Sequence, residues 1–226
     1  MQFLKPECAK CGIKDKICRS PEGQGPVFCP TLHRKEVVGK ANEEYTHPDI
    51  FAFAHEASIQ EAECYINRDL KPFVPRPTKP RVQEICEFAQ KMGYEKLGMA
   101  FCSALHSEAL SLVQILETQG FDVASVVCKA GLTPKEYIGI QDEEKVRVGE
   151  FESMCSPIAQ AMILNEEKTD FNILLGLCVG HDSLFLRYSK AYCTVLVAKD
   201  RVLAHNACAA LYTTGSYYAR MLRKGF

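Results

Sequence analysis

Cysteine carries the chemistry of this chain. Cys8, Cys11, Cys18 and Cys29 fall within the first thirty residues, and clustered thiolates are ligands for zinc and for iron–sulfur clusters. In Cys8-Ala-Lys-Cys11 the spacing lets one tight turn close both sulfurs on a single metal, and Gly12 directly after the pair eases that bend. Cys29-Pro30 ends the run as bacterial ferredoxin runs end, although the spacings are not theirs. Between the cysteines, Ser20-Pro21-Glu22-Gly23 and Gly25-Pro26 are turn chemistry with almost nothing apolar to bury. Such a segment has no core of its own, so a metal held by the tetrad would supply the missing stability. The competing reading is a flexible tail whose cysteines stay reduced and idle.

A second group sits further along. Cys102, Cys128 and Cys178 each end an apolar run that reads as a strand, namely Lys96–Cys102, Asp122–Cys128 and Asn172–Cys178. Open parallel sheets place their ligand sites beyond the carboxyl ends of the strands. Cys155 precedes Ser156-Pro157, a helix opening whose unpaired N–H groups and dipole favour a thiolate. Cys102, Cys128, Cys155 and Cys178 are therefore expected to converge on one cofactor site. His181 and Asp182, three and four residues past Cys178, are the candidate catalytic acid–base groups. Against this stands cysteine's ordinary place in cores as a small hydrophobe. Cys64, Cys86, Cys193 and Cys208 read as buried or incidental thiols. His33, His47 and His55 have no ligand spacing, while His106, one helical turn past Cys102, and His205-Asn206 are lesser candidates for the same edge.

The elements that must position these groups follow from periodicity. Residues 50–66, rich in alanine and glutamate, read as a helix. Pro72, Pro75, Pro77 and Pro80 then forbid a continuing helix or interior strand and mark a linker. Val82, Ile85, Cys86, Ala89 and Met92 recur at helical spacing up to Gly93, and Leu105, Ala109, Leu112, Val113 and Leu116 do so up to Gly120. Thr133-Pro134-Lys135-Glu136 resembles a capping box opening a short helix, and Ser156-Pro157 opens another to about Glu167. Asp182 or Ser183 is expected to cap a helix to Ser189, Thr194–Ala198 reads as a strand, and a last helix is expected from about Asn206, weakened at Thr213-Thr214-Gly215. The expected fold is α/β, a mostly parallel sheet with helices on both faces plus a cysteine-rich N-terminal metal-binding segment. Its regions are 1–45 for the cysteine-rich segment, 46–80 for a helix and linker, and 81–226 for the α/β domain.

Composition narrows the function. With 226 residues the chain can bury one sizeable core. Its twelve cysteines could suggest secreted disulfides, yet Met-Gln-Phe-Leu-Lys-Pro-Glu-Cys contains no apolar run of the signal-peptide kind. No stretch approaches the roughly eighteen apolar residues that span a bilayer, so a cytoplasmic protein without a membrane segment is expected. A net charge of −1 argues against nucleic acid and against a polybasic membrane patch, and locally basic Lys71–Arg81 is first a proline linker. There is no Gly-x-x-x-x-Gly-Lys-Ser/Thr loop and no Gly-x-Gly-x-x-Gly turn. Gly176-Leu-Cys178-Val-Gly180 could bring backbone amides near an anion, but alone it is a weak signal.

At this level the residues resemble a known family. Cys8-Ala-Lys-Cys11-Gly, Cys29-Pro30, Gly98-Met-Ala-Phe-Cys102, Val127-Cys128-Lys129-Ala130-Gly131, Met154-Cys155-Ser-Pro157-Ile-Ala-Gln160-Ala, Gly176-Leu-Cys178-Val-Gly-His181-Asp182-Ser183 and Lys199-Asp200-Arg201 are similar to the cysteine-rich family numbered eighteen forty-seven among the domains of unknown function. The resemblance implies metal binding, and the family's occurrence in anaerobes favours iron–sulfur clusters over zinc. Cys193 and Cys208 stand where the pattern leads one to expect an apolar residue or proline, and Ser156 where it leads one to expect asparagine. Two functions are therefore expected in competition. One is an iron–sulfur protein with one or two 4Fe-4S clusters, acting on a small-molecule substrate or with a redox partner. The other is a structural-zinc protein that binds or delivers a metal without turnover. Thiol redox catalysis through Cys8 and Cys11 suits the pair but leaves the other two cysteines unexplained.

Overall fold

The computed structural model of the chain describes residues 4–225. The chain divides into two compact units, Met1–Glu63 and Cys64–Phe226. In the first, a single 3-10 turn at Cys8–Lys10 and a loop closed by a bridge between Lys16 and Gln24 precede α1 (Pro30–His33), α2 (Lys35–Glu44) and α3 (Pro48–Glu63). Prolines at the first positions of α1 and α3 suit the fixed φ of a helix start. No apolar stripe announces α2, because none of its side chains is buried. It is carried by good helix formers and by the Glu36–Lys40 pair at 3.1 Å. The expected helix over 50–66 is α3, shifted toward Pro48.

The second unit alternates helix and strand: α4 (Arg81–Lys91), β1 (Lys96–Phe101), α5 (His106–Thr118), β2 (Asp122–Val127), α6 (Pro157–Glu166), β3 (Phe171–Leu177), α7 (His181–Tyr188), β4 (Tyr192–Ala198) and α8 (Cys208–Tyr212). The four strands form one parallel sheet in the order β2-β1-β3-β4. The chain thus moves outward from β1 to β2, then returns past β1 to lay down β3 and β4 on the other side. Such a reversal puts the intervening helices on opposite faces when every crossover is right-handed. Accordingly, Ala161 and Leu164 of α6 and Phe185 of α7 pack with Ala100, Val126 and Leu174. On the other face α5 packs on β2, and Phe88 of α4 lies 5.6 Å from the Phe171 ring. The fold is α/β with helices on both faces. β3 is buried along its whole length, as a central parallel strand must be, whereas β2 and β4 are partly exposed.

Three local expectations are corrected. The turn after Pro134 is a 3-10 helix, Lys135–Ile138, without a side-chain cap, because Glu136 pairs with Lys145 instead. A reciprocal capping box forms further on, between Gln141 and Glu144. Neither Asp182 nor Ser183 caps α7, which starts at His181 from Gly180 at φ +83°. At the C-terminal end α8 stops at Tyr212, where the Thr213 hydroxyl turns back to donate to Ala209 O at 2.8 Å. No helix among the described residues is long and apolar enough to cross a membrane.

Candidate functional site

β1, β2 and β3 end at Phe101, Val127 and Leu177, and in each the next residue is a cysteine. Sheet-like hydrogen bonds hold two of them past the strand ends: Cys102 N donates to Leu175 O at 3.1 Å and Cys128 N to Phe101 O at 2.8 Å. The third is aimed by a bulge. The β3–β4 register shifts between Leu175 and Leu177, and Gly176 there takes φ +70°. An added Cβ at Gly176 would stand 2.1 Å from Leu105 Cδ1, so only glycine fits without displacement. The extra residue turns Leu177 into the core beside Leu174, and Cys178 follows it over the edge. Cys155 reaches the edge from the long connection between β2 and α6. Met154 N donates to Thr133 O at 2.8 Å and Ser156 N to Cys128 O at 2.7 Å, which seats Cys155 beside Cys128.

Cys102, Cys128, Cys155 and Cys178 all line one cavity of about 520 Å³, together with His181. It lies at the carboxyl edge between β1 and β3, whose following connections run to opposite sides of the sheet, the switch point at which open α/β sheets bind ligands. A smaller space of about 10 Å³ is lined by the same four cysteines with Gln160, Leu177 and His181; that is room for about one water-sized atom. Asp182 lines neither space. Its Oδ1 accepts from Ser183 N at 2.8 Å, within its own helix. His106 sits edge-on to Phe101, and His205 accepts from Asp200 N through Nδ1 at 3.1 Å; neither lines the cavity. Cys193 packs against the core and donates to Ala191 O at 3.3 Å, Cys64 and Cys86 are buried, and Cys208 is exposed.

The thiols are not equivalent. A hydrogen bond from Cys155 draws the Cys128 pKa down to about 5 against the opposing cost of burial, helped by the Ser103 N–H at 3.4 Å, the Ser103 hydroxyl and the charge of Lys129. The same contact, with burial and the neighbouring sulfur charges, raises the pKa of Cys155. One proton is therefore shared by the pair, with the thiolate on Cys128. Two further atoms stand without partners: Gln160 Oε1 and His181 Nδ1 are buried and accept or donate no hydrogen bond. The amide orientation of Gln160 is dictated by its other end, because Nε2 donates to Phe101 O at 3.2 Å and Val126 O at 2.7 Å. Gln160, which lines the smaller thiol-lined space, thus carries a buried acceptor oxygen with no partner.

Among the described residues, no three Cys, His, Asp or Glu side chains are drawn into a ready coordination sphere. The donor chemistry nonetheless fits a thiophilic metal: four sulfurs on one cavity, one already a thiolate, with two unsatisfied buried atoms beside them.

In the first unit Cys8, Cys11, Cys18 and Cys29 line a cavity of about 110 Å³ with Phe28 and Pro30. The 3-10 turn brings Cys11 N onto Cys8 O at 3.1 Å, and Ile17 N to Gln24 O and Gln24 N to Asp15 O close the intervening loop at 2.9 and 2.8 Å. Gly25 passes so close that a Cβ would lie 2.9 Å from Cys29 Sγ. Cys29 is buried, while Cys8 and Cys18 are exposed.

Sequence reasoning missed the polar wall of the larger cavity. Lys129, Lys135, Lys199 and Arg201 line it, as do Glu144 and Glu152. Several of these come from the connection 128–156, which is stapled by Lys135–Glu152 at 2.9 Å and Lys145–Asp142 at 3.0 Å. A connection of that length within a compact domain was the available signal.

Fold and site together define an open, doubly wound α/β protein with a cysteine-lined carboxyl edge. The chain belongs to the family described as protein of unknown function DUF1847, whose model matches residues 29–196. That stretch contains Cys29 and the four edge cysteines. An uncharacterized protein of Methanocaldococcus jannaschii is 42% identical over 192 residues, covering 85% of this chain and 91% of the relative. No solved structure matches the chain.

Proposed function

We propose that the chain is a cytoplasmic metal-binding protein with two cysteine-ligated iron–sulfur sites. In this reading Cys8, Cys11, Cys18 and Cys29 hold the first, and Cys102, Cys128, Cys155 and Cys178 hold the second, where a small substrate or a redox partner is met. The observation that carries it is the meeting of four thiols, delivered by four separate segments, on one cavity at the switch point of the sheet. A cluster bound there would supply stored electrons, and one held by three of the four thiolates would leave an iron open to substrate. His181, with an unpartnered ring nitrogen at the same cavity, holds or moves the proton. Asp182 has no part in this reading, since it does not line the cavity.

A second reading has support at the first unit alone. The small tetrad cavity, closed by local turns, suits a structural zinc ion. Iron, zinc and acid-labile sulfide measured per chain in protein purified without oxygen separate the two. About four or eight irons with matching sulfide are expected; zinc without sulfide overturns the iron–sulfur reading. Cys102→Ser or Cys178→Ser removes the second metal and leaves the first. Full metal content in both variants would sink the edge site.

A further inference from the structure

We infer that the cysteine-lined cavity binds its substrate through a small oxyanion, a carboxylate or phosphate group held by Lys199 and Arg201. The inference rests on the proposed reading of this edge as a reaction site, and it names the chemical class of the substrate.

The fourth strand does what the other three do. β1, β2 and β3 deliver Cys102, Cys128 and Cys178 to the edge; β4 delivers Lys199 and, after one residue, Arg201. Their turn is tightly held. Lys199 N donates to Leu177 O at 3.2 Å, and Asp200 Oδ1 accepts from Val202 N and Leu203 N at 2.9 and 2.8 Å. His205 closes the turn from the other side, donating its backbone N–H to Asp200 O at 3.0 Å. Asp200 is consumed by this turn, so the Lys199-Asp200-Arg201 motif presents two cations and no free carboxylate to the cavity.

The charges of the remaining lining residues separate into used and unused. Lys135 is paired with Glu152, Glu152 also accepts from Val146 N and Arg147 N, and Glu144 accepts from Gln141 N. Lys129 donates to Ser153 O. Arg201 Nη2 donates to Cys178 Sγ at 3.1 Å, which leaves most of its guanidinium hydrogens available. Lys199 has no carboxylate within ion-pair distance among the described residues; Glu108 feels its charge only at longer range. Half-buried Lys199 therefore lines the 520 Å³ cavity without a carboxylate paired to it. α5, α6 and α7 all begin at this same edge, so their positive dipole ends add to the field. A planar guanidinium beside an ammonium is the arrangement that grips carboxylate and phosphate oxygens.

The rival role for these cations is to balance the charge of the thiolates. Calorimetric titration of the full metal-loaded chain with inorganic phosphate, alongside metal content, separates the two. The wild-type chain is expected to bind one phosphate saturably, and Lys199→Met and Arg201→Gln each to weaken it by about tenfold or more, with Lys199→Met retaining its metal. Lys190→Met, at the opposite edge of β4, is expected to bind as the wild type does. No saturable binding by the wild type, or unchanged binding by Lys199→Met, overturns the anion site. Loss of metal together with phosphate in Lys199→Met overturns it as well, in favour of the charge-balancing role. A chain that carries no metal yet binds phosphate through Lys199 upholds the anion site and removes the metal reading beneath it.

Discussion

The two cysteine clusters solve the same problem by opposite means. The first is local: four thiols from a short run of turns, two of them exposed, closed by backbone bonds among neighbours in sequence. The second is assembled from the ends of three strands and the start of a helix, over a sheet in which the inner strand β3 is wholly buried. Cys29 is the only apolar residue buried in the stretch 4–33, so the first cluster has almost no apolar core to hold it. The sheet has an apolar core of its own. The contrast teaches that the first site, on the proposed reading, would owe its structure to the ligand it holds, whereas in the second the fold itself brings the thiols together.

The largest expected effect tests that contrast directly. If the tetrad holds a metal as proposed, replacing Cys8 and Cys11 together by serine is expected to remove its binding free energy, on the order of 10 kcal/mol for a structural thiolate site. Limited proteolysis should then cleave within residues 4–33 while the second unit and its metal survive. Uncut protein with unchanged metal content would erase the difference between the clusters.

Next comes the strand bulge. Gly176→Ala places a Cβ against Leu105 at a left-handed φ, and a loss of about 2–3 kcal/mol is expected in urea unfolding of the full chain. Because Cys178 depends on that bulge, edge metal should fall as well; an alanine variant with wild-type stability and metal would show that the bulge is dispensable.

A smaller effect is expected of Gln160→Met, about 1–3 kcal/mol, since it removes the amide donor from Val126 O and leaves Phe101 O with that of Cys128 N, while conserving volume. Stability equal to wild type would mean that water replaces the amide.

The smallest is a pH signature in metal-free protein. Thiolate absorbance should include one group titrating near pH 5, absent in Cys128→Ser. The sign follows from linkage. Between about 5 and the ordinary cysteine value of 9.0, unfolding takes up a proton at Cys128, so stability rises with pH across that window and is lost as pH falls through 5. Cys155, which keeps its proton when folded, works the other way and lowers stability above the ordinary value. A stability profile flat from pH 5 to 9 in the wild type, or unchanged in Cys128→Ser, would mean that the pair does not share a proton.

Much of the second unit was legible, because period-2 and period-3.6 apolar patterns come from burial on a sheet and on a helix stripe, and those survive in any arrangement of the strands. α2 was not, since a helix without a buried face leaves no period to read. Spacing from Cys178 makes His181 and Asp182 equal acid–base candidates, yet on a helix adjacent side chains diverge by about 100°, and only His181 reaches the cavity. Thr133 and Glu136 had the letters of a capping box, but Glu136 found Lys145 instead.

By itself the sequence determined that cysteines end the strands and begin a helix, and that four more crowd a segment with nothing to bury. These are matters of local pattern and composition. Strand order belonged to the tertiary structure, because pairing between residues distant in sequence is settled by packing the whole sheet. With it came the switch point between β1 and β3, the seating of Cys155 beside Cys128, and the arrival of Lys199 and Arg201 at the thiol edge. A side chain's chemistry is written in its letter; its neighbours are chosen by the fold, through the one arrangement that buries both faces of the sheet and pairs its backbone.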